Sequence, residues 1–472
     1  MLMFSLLLGI AGAVPEKCRI AGVPEPARCH AIDVPIHHDD PGRGTLRLRV
    51  AVLPALGVPK APDPVFFLAG GPGQAAMSMA DSVLAVLGEV RKRRDVVLLD
   101  QRGTTPGILP CPGLASLVLP DAEETLEQLL ECRKSWSLDL TTLNTATLAR
   151  DTEYVRRALG YSQINLWGGS YGTRLGQELM RRFPSTVRVA VFDGVASTQE
   201  SIAPIAERYA NEAFQRLQHD CEAEPACAKR FPQLAQQLPR LMDRLKMKPI
   251  EGAWPDPLSG ENRSVVVSDQ VLISVLRGAL YSSESRAVVP LALEALDAGD
   301  PQLLLALNAA LASATDSMAT GHTVSVMCAD DAARMDPQAI ARERVSNPFG
   351  ASYAREWITF CGAWKSPEAS LLEDIIAAPI LMISGALDPV TPPRSAEAAG
   401  KSMRHQQHLV VDGGAHINSH LGCIPRLIAR FIEQGDGSLL DTTCAAAIRA
   451  APFMASGLIP LPIPSHRIGA AP

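Results

Sequence analysis

The sequence has no basic stripe. Its 44 Lys and Arg and 50 Asp and Glu are interspersed along 472 residues, giving a formal net charge of −6. A surface that neutralises phosphates needs clustered positive charge, so nucleic acid is not an expected partner. The longest basic cluster, Arg91-Lys92-Arg93-Arg94, stands before an apolar run and reads as a solvated helix end. Beyond the first residues no stretch approaches eighteen uncharged apolar residues, which leaves no transmembrane helix to expect. No two cysteines have C-x-x-C spacing and the histidines do not gather beside them, so zinc is not expected. His37-His38-Asp39-Asp40, next to Pro41-Gly42, reads as a strand end and turn rather than a metal cluster. No internal repeat is present.

What the sequence does contain begins with residues 1–13, "MLMFSLLLGIAGA", an apolar run closing on Ala11-Gly12-Ala13. It is shorter than a membrane span and similar to the hydrophobic region and cleavage site of a secretory signal, though no Lys or Arg precedes it. A buried N-terminal segment is the alternative. The ten cysteines fall into sequence neighbours: Cys18 with Cys29, Cys111 with Cys132, Cys221 with Cys227, Cys328 with Cys361, and Cys423 with Cys444. Sequence does not fix connectivity, but these local loops are the simplest pairing. Each bridge would contribute about 2–4 kcal/mol and would require an oxidising compartment. A secreted or periplasmic protein, without stable membrane insertion after signal removal, is therefore expected; buried thiols in a cytosolic protein are the alternative.

With 47% hydrophobic and 20% charged residues the chain can bury a large core. Residues 45–53 alternate apolar and charged side chains, as a half-exposed strand does. Residues 64–70, 95–100, 164–169, 187–194, 378–385 and 407–414 are instead short, nearly continuous apolar runs, which suit strands buried on both faces of a parallel sheet. Helical periodicity fills 147–159, 172–183 and about 421–434, and this alternation predicts an α/β fold with a mostly parallel central sheet. Between 196 and 375 the β-α rhythm stops, and helical patterns occupy 201–218, 269–280 and 287–311. The expected organisation is a signal peptide (1–13), a first part of the core (14–195), a largely helical insertion (196–375), a second part of the core (376–450) and a proline-rich tail (451–472). Two sequential domains are the alternative.

Gly168-Gly169-Ser170-Tyr171-Gly172 matches G-x-S-x-G between an apolar strand and a helix, the setting of a nucleophile elbow. There the serine occupies a strained turn, and glycines remove clashes with neighbouring backbone. A serine hydroxyl needs a base to take its proton and an acid to orient that base. Asp388 lies in a proline-stiffened loop after one apolar run, and His416 lies after the next, behind Gly413 and Gly414. The order Ser, Asp, His fits the α/β-hydrolase arrangement. Competing candidates are Asp412, read as a strand end, and His405, His408 and His420. Gly70-Gly71-Pro72-Gly73 directly follows a buried strand, where Gly71, with Gly70 the next choice, would give one oxyanion N–H and Tyr171 the other.

Together with Asp100-Gln101-Arg102-Gly103 and the Asp388-Pro389-Val390-Thr391-Pro392 loop, these motifs resemble the α/β-hydrolase serine peptidases of the prolyl aminopeptidase and tripeptidyl aminopeptidase group. The resemblance spans roughly 45–195 and 376–445, including a tail like the tripeptidyl aminopeptidase C-terminal region. Ala69 and the Ala415-His416-Ile417 setting depart from the group's usual His-G-G-P-G and glycine-flanked histidine. The resemblance implies a helical cap over the site, no metal or other cofactor, and removal of one or a few residues from peptide substrates with a free N-terminus. It also places Arg102 near the site, although a strand-end arginine paired with a carboxylate is more often structural. Glu200, Glu207, Glu212, Glu222 and Glu224 are available to meet a substrate amine; none is assigned. The alternatives are an esterase or lipase-like hydrolase with the same triad, and a catalytically silent relative that binds a peptide or protein partner.

Overall fold

Eleven strands are described in the computed structural model, which covers residues 15–455 except 116–121, 256–259, 316–317, 337, 339, 342–348, 351 and 370. The apolar run 1–13 and residues 456–472 of the tail lie outside the described residues. The strands are β1 (Glu16–Cys18), β2 (Ala27–Pro35), β3 (Thr45–Leu53), β4 (Val65–Leu68), β5 (Val96–Leu99), β6 (Ile164–Gly169), β7 (Val187–Asp193), β8 (Ile250–Pro255), β9 (Asn262–Val267), β10 (Ile380–Gly385) and β11 (Gln406–Val411). All but β8 and β9 form one nine-stranded sheet in the order β1-β2-β3-β5-β4-β6-β7-β10-β11. From β5 to β11 every pairing is parallel, while β1, β2 and β3 add an antiparallel edge.

The parallel strands are apolar on both faces because both faces are covered. In β4, Phe67 packs into one core and Phe66 into the other, as the two-residue period of a strand requires. Phe67 belongs with Leu87 of helix Ala80–Arg91 and with Ile428 and Phe431 of helix Ile424–Gln434. Phe66 belongs with Leu148 and Val155 of helix Thr145–Ala158, and with Leu175 and Leu179 of helix Tyr171–Arg182. Full burial of such a side chain contributes on the order of 1.5–3 kcal/mol. Nearly continuous apolar strands are thus stable here and would not be at an exposed sheet face.

β7 and β10 are neighbours in the sheet, with Ile380 opposite Ala190. The chain between them leaves the sheet and returns. It forms helices Ile202–Ala223, Leu234–Met247, Asp269–Ala279, Ser283–Asp297, Gln302–Thr315, Thr320–Asp331 and Ser352–Trp364, and the antiparallel β8–β9 hairpin. The helical pattern at 287–311 is two helices, broken at Gly299 (φ 91°) before Pro301, because a left-handed glycine ends one helix and proline suits the first turn of the next. The first five of these helices have an apolar core of their own, including Phe214, Leu238, Leu276 and Leu293, which Phe453 of the C-terminal segment enters, whereas Val324, Met327, Trp357 and Phe360 of the last two pack with Leu126 and Leu129 of helix Ala122–Arg133.

Five disulfides join Cys18–Cys29, Cys111–Cys132, Cys221–Cys227, Cys328–Cys361 and Cys423–Cys444. The basic cluster stands at the end of helix Ala80–Arg91 as expected, with Lys92 and Arg93 exposed, but its outer two members are not solvated. Arg91 is buried and donates to Glu25, Arg94 is buried against Asp63 and Glu433, and Arg93 reaches Glu433 as well. Carboxylates brought from distant segments make the cluster a structural junction. No helix among the described residues is long and apolar enough to cross a membrane.

Candidate active site

The elbow starts at the end of β6. Ser170 has φ 52° and ψ −122°, a left-handed conformation that side chains rarely adopt and that costs on the order of 1–3 kcal/mol. Its N–H donates to the Asp193 carbonyl at 2.9 Å, and its carbonyl accepts the N–H and hydroxyl of Thr173, so both sides of the turn are held. Gly172 is required by close approach: a Cβ there would stand 2.0 Å from the Leu68 carbonyl oxygen at the end of β4. Helix Tyr171–Arg182 therefore packs against the sheet with its N-terminus directly behind Ser170, where its N–H groups favour negative charge.

Asp388 follows β10 and His416 follows β11. His416 Nδ1 lies 2.9 Å from Asp388 Oδ2. The carboxylate is also held by the N–H groups of Val390 and Thr391 on Oδ1, and by the Thr391 hydroxyl on Oδ2. Burial alone would raise the Asp388 carboxyl, but His416 and these N–H donors bring it below its ordinary value. Burial alone would likewise lower the His416 imidazole, yet Asp388, with a smaller contribution from Asp193, holds it above its ordinary value. A depressed acid beside a raised base is a pair set up to stabilise imidazolium.

The nucleophile and base segments meet through Asp193, which the sequence reading did not single out. Its carbonyl holds Ser170, while its carboxylate accepts the N–H groups of Asn418 and Ser419 and the Ser419 hydroxyl, at 2.7, 2.6 and 2.6 Å. The next residue, Gly194, abuts the imidazole, since a Cβ there would stand 3.2 Å from His416 Cε1. A Cβ on Gly169 would stand 3.3 Å from Ile417 Cδ1. The chain neighbours of Ser170 and His416 are thus in contact. Gly413 and Gly414 serve close packing rather than a left-handed turn: Cβ atoms there would strike the backbone at Arg449 and the Asn418 amide.

Gly70 and Gly71 lie against the elbow. A Cβ on Gly70 would be 3.3 Å from the Gly169 oxygen and 3.4 Å from Ser170 Cβ, and Gly71 has φ 105°. The insertion holds this loop from outside: the Ala319 N–H donates to the Gly73 carbonyl at 3.0 Å and the Thr323 hydroxyl to that of Pro72 at 2.5 Å. It also reaches behind Tyr171. The buried Tyr171 hydroxyl lies 2.6 Å from Thr145 Oγ1, which donates in turn to Asp330. Burial pushes the Asp330 carboxyl up to about 7.

The remaining sequence candidates lie elsewhere. Asp412 is exposed and faces Arg216, His405 and His420 are exposed, and His408 Nε2 pairs with Ser384 Oγ. Arg102 is wholly buried, makes a two-pronged pair with Asp151 and donates to the Pro35 and Ile36 carbonyls; His38 joins the same carboxylate. Among the insertion's carboxylates, Glu200 accepts from Tyr209 and Ser395, Glu207 from the Tyr353 N–H, and Glu224 from the Phe453 N–H. Glu212 pairs with Arg394, and Glu222 is exposed. No cluster of His, Cys, Asp and Glu suited to a metal ion occurs among the described residues.

Comparison with known proteins agrees with this architecture. Residues 63–244 match the family described as alpha/beta hydrolase fold, and residues 346–444 match the family described as TAP-like protein. Tripeptidyl aminopeptidase of Streptomyces coelicolor is 25% identical, covering 92% of this chain and 86% of its own. Carboxylesterase B of Mycobacterium tuberculosis is 28% identical, covering 89% and 86%. Serine protease Hip1 of Mycobacterium bovis is 25% identical, covering 88% and 86%. The nine-stranded sheet, the elbow at the C-terminal end of β6 and these matches give the chain the α/β-hydrolase fold and make it similar to the tripeptidyl aminopeptidases.

Proposed function

We propose that this chain is an exported serine aminopeptidase that hydrolyses amide bonds near the free N-terminus of peptides through an acyl-enzyme. Ser170 Oγ attacks the substrate carbonyl carbon while His416 Nε2 takes its proton, and Asp388 keeps Nδ1 protonated and oriented. The N–H groups of Gly71 and Tyr171 receive the tetrahedral oxyanion. As the C–N bond breaks, His416 returns the proton to the departing amine. Water then attacks the ester carbonyl with His416 again as base, the C–Oγ bond breaks, and Ser170 regains its proton. No metal or organic cofactor takes part in these steps.

The observation that carries this reading is the 2.9 Å contact of His416 Nδ1 with Asp388 Oδ2, beside an elbow whose serine is held by Asp193, the residue before the Gly194 that abuts the imidazole. Residues 196–375 serve as a cap over the site, and the five disulfides support a secreted or periplasmic location. The similarity to a protein named tripeptidyl aminopeptidase favours peptide substrates, and the similarity to one named carboxylesterase B keeps an esterase as the second reading.

Fluorogenic prolyl and tripeptidyl amides, run beside short-chain nitrophenyl esters, separate the two. Turnover of the amides and loss of turnover after acetylation of the peptide amine are expected. Blocked peptides cut as fast as free ones would end the exopeptidase assignment, and ester turnover without amide turnover would leave the esterase.

A further inference from the structure

The turn after helix Asp269–Ala279, midway along the insertion, touches the candidate base. The Tyr281 carbonyl accepts the His416 N–H at 3.0 Å. Its ring stands nearly perpendicular to the imidazole, with centroids 5.1 Å apart and an interplanar angle of 73°. Asp388 grips the imidazole at Nδ1 alone, and a ring held at one atom can tilt and carry Nε2 away from a nucleophile. A contact on the ring's flank, combined with a fixed backbone N–H, removes that freedom.

The turn is itself anchored. Ser282 caps helix Ser283–Asp297 by accepting the Ser285 N–H at 3.1 Å, and the Ser285 hydroxyl donates to the Ala279 carbonyl at 2.6 Å. The C-terminal segment straps the same helix down. The Ala451 N–H donates to Ser283 Oγ at 2.6 Å and the Met454 N–H to the Ala287 carbonyl at 3.0 Å, while the Arg286 guanidinium lies 5.1 Å from the Phe453 ring centre. Residues 449 and 450 run against Gly413, three residues before His416. One strap thus braces the histidine loop and the turn that contacts it.

We propose that Tyr281 is a positioning residue of the reaction, its carbonyl fixing the His416 backbone and its ring fixing the tilt of the imidazole, so that the inserted helices set the rate as well as enclosing the substrate. This rests on the reading of Ser170, His416 and Asp388 as a triad. The ring and the carbonyl carry the role, and the hydroxyl does not.

The test is steady-state kinetics on the full-length protein with a peptide amide, beside fluorophosphonate labelling. Tyr281→Ala is expected to lower kcat about tenfold with KM changed less than about twofold, the size of effect an edge-on aromatic contact supplies. Its labelling should slow in parallel while thermal unfolding stays cooperative. Tyr281→Phe, which keeps the ring, should restore kcat to within about twofold of wild type. If Tyr281→Ala does not fold, Tyr281→Leu keeps the bulk without the ring and should show the same loss. Wild-type kcat in the variant lacking the ring, a change in KM alone, or Phe as damaging as Ala would overturn the proposal. Ser170→Ala in parallel separates the failures: an active Ser170→Ala ends the triad reading, whereas an inactive one with Tyr281→Ala at full rate ends only the role of Tyr281.

Discussion

The sheet and the insertion meet at the candidate site but place their residues differently. Ser170, Asp193, Asp388 and His416 stand at or just beyond the C-terminal ends of the parallel strands β6, β7, β10 and β11, and Gly71 stands beyond β4. Their spacing follows from sheet register, which one hydrogen-bonded ladder fixes for every strand at once. Among the described residues the insertion has no such ladder to the sheet. It acts on the site from two places: the turn at Tyr281 on His416, and helix Thr320–Asp331 with its cap, where Ala319 and Thr323 hold the Gly71 loop and Asp330 stands behind Tyr171. The sheet therefore supplies geometry, and the insertion supplies adjustment.

The largest expected effect falls on the sheet side. Ser170→Ala should reduce peptide hydrolysis by roughly 10⁴-fold or more with thermal unfolding unchanged, since removal of a triad member leaves only oxyanion and binding contributions. Asp388→Asn, which keeps the shape but permits the wrong imidazole tautomer, should cost about 10³–10⁴-fold in kcat. Arg102→Ala sharpens the contrast between chemistry and fold. It leaves the buried Asp151 carboxylate with His38 in place of its two-pronged guanidinium partner and should destabilise the protein by about 3–5 kcal/mol in denaturant titration, while the molecules that remain folded keep their kcat.

Within the insertion, replacing Cys328 and Cys361 by serine opens a loop of 33 residues between helices Thr320–Asp331 and Ser352–Trp364. A loss of about 2–4 kcal/mol in unfolding free energy is expected. The smallest effect concerns pH. The reaction needs neutral His416, whose value is raised above 6.5 by Asp388, so kcat/KM should rise with pH through a midpoint above 6.5. Asp388→Asn should move any residual midpoint downward, because the carboxylate that favours imidazolium is gone. A midpoint that stays put would break the assignment of the acid limb to this pair.

The same contrast decided what was legible in the sequence. Strand β6 falls on the run 164–169, because a strand buried on both faces must be apolar almost without interruption, and β3 falls on 45–53, whose alternation follows a strand with one exposed face. Of β2, "ARCHAIDVP", only the end is marked, by the turn at His37-His38-Asp39-Asp40: it is an antiparallel strand near the sheet's edge, with polar residues and a terminal proline that blur its alternation. The β8–β9 hairpin was hidden among helical patterns for a similar reason. Ser170, Asp388 and His416 were readable because motif and chain order point to them. Asp193 and Tyr281 were not, since their partners stand 225 and more than a hundred residues away and nothing beside them marks a contact. The signal available for Asp193 was its place at the end of a buried strand, where a polar residue must find a partner.

The central claim is that Ser170 is the residue made reactive by His416. A fluorophosphonate probe on the folded, disulfide-intact protein, followed by peptide mass mapping, reads this directly. A single adduct on Ser170 is predicted, formed faster as pH rises through the His416 transition and abolished in His416→Ala. An adduct on another residue, or none on folded wild-type protein, would contradict it.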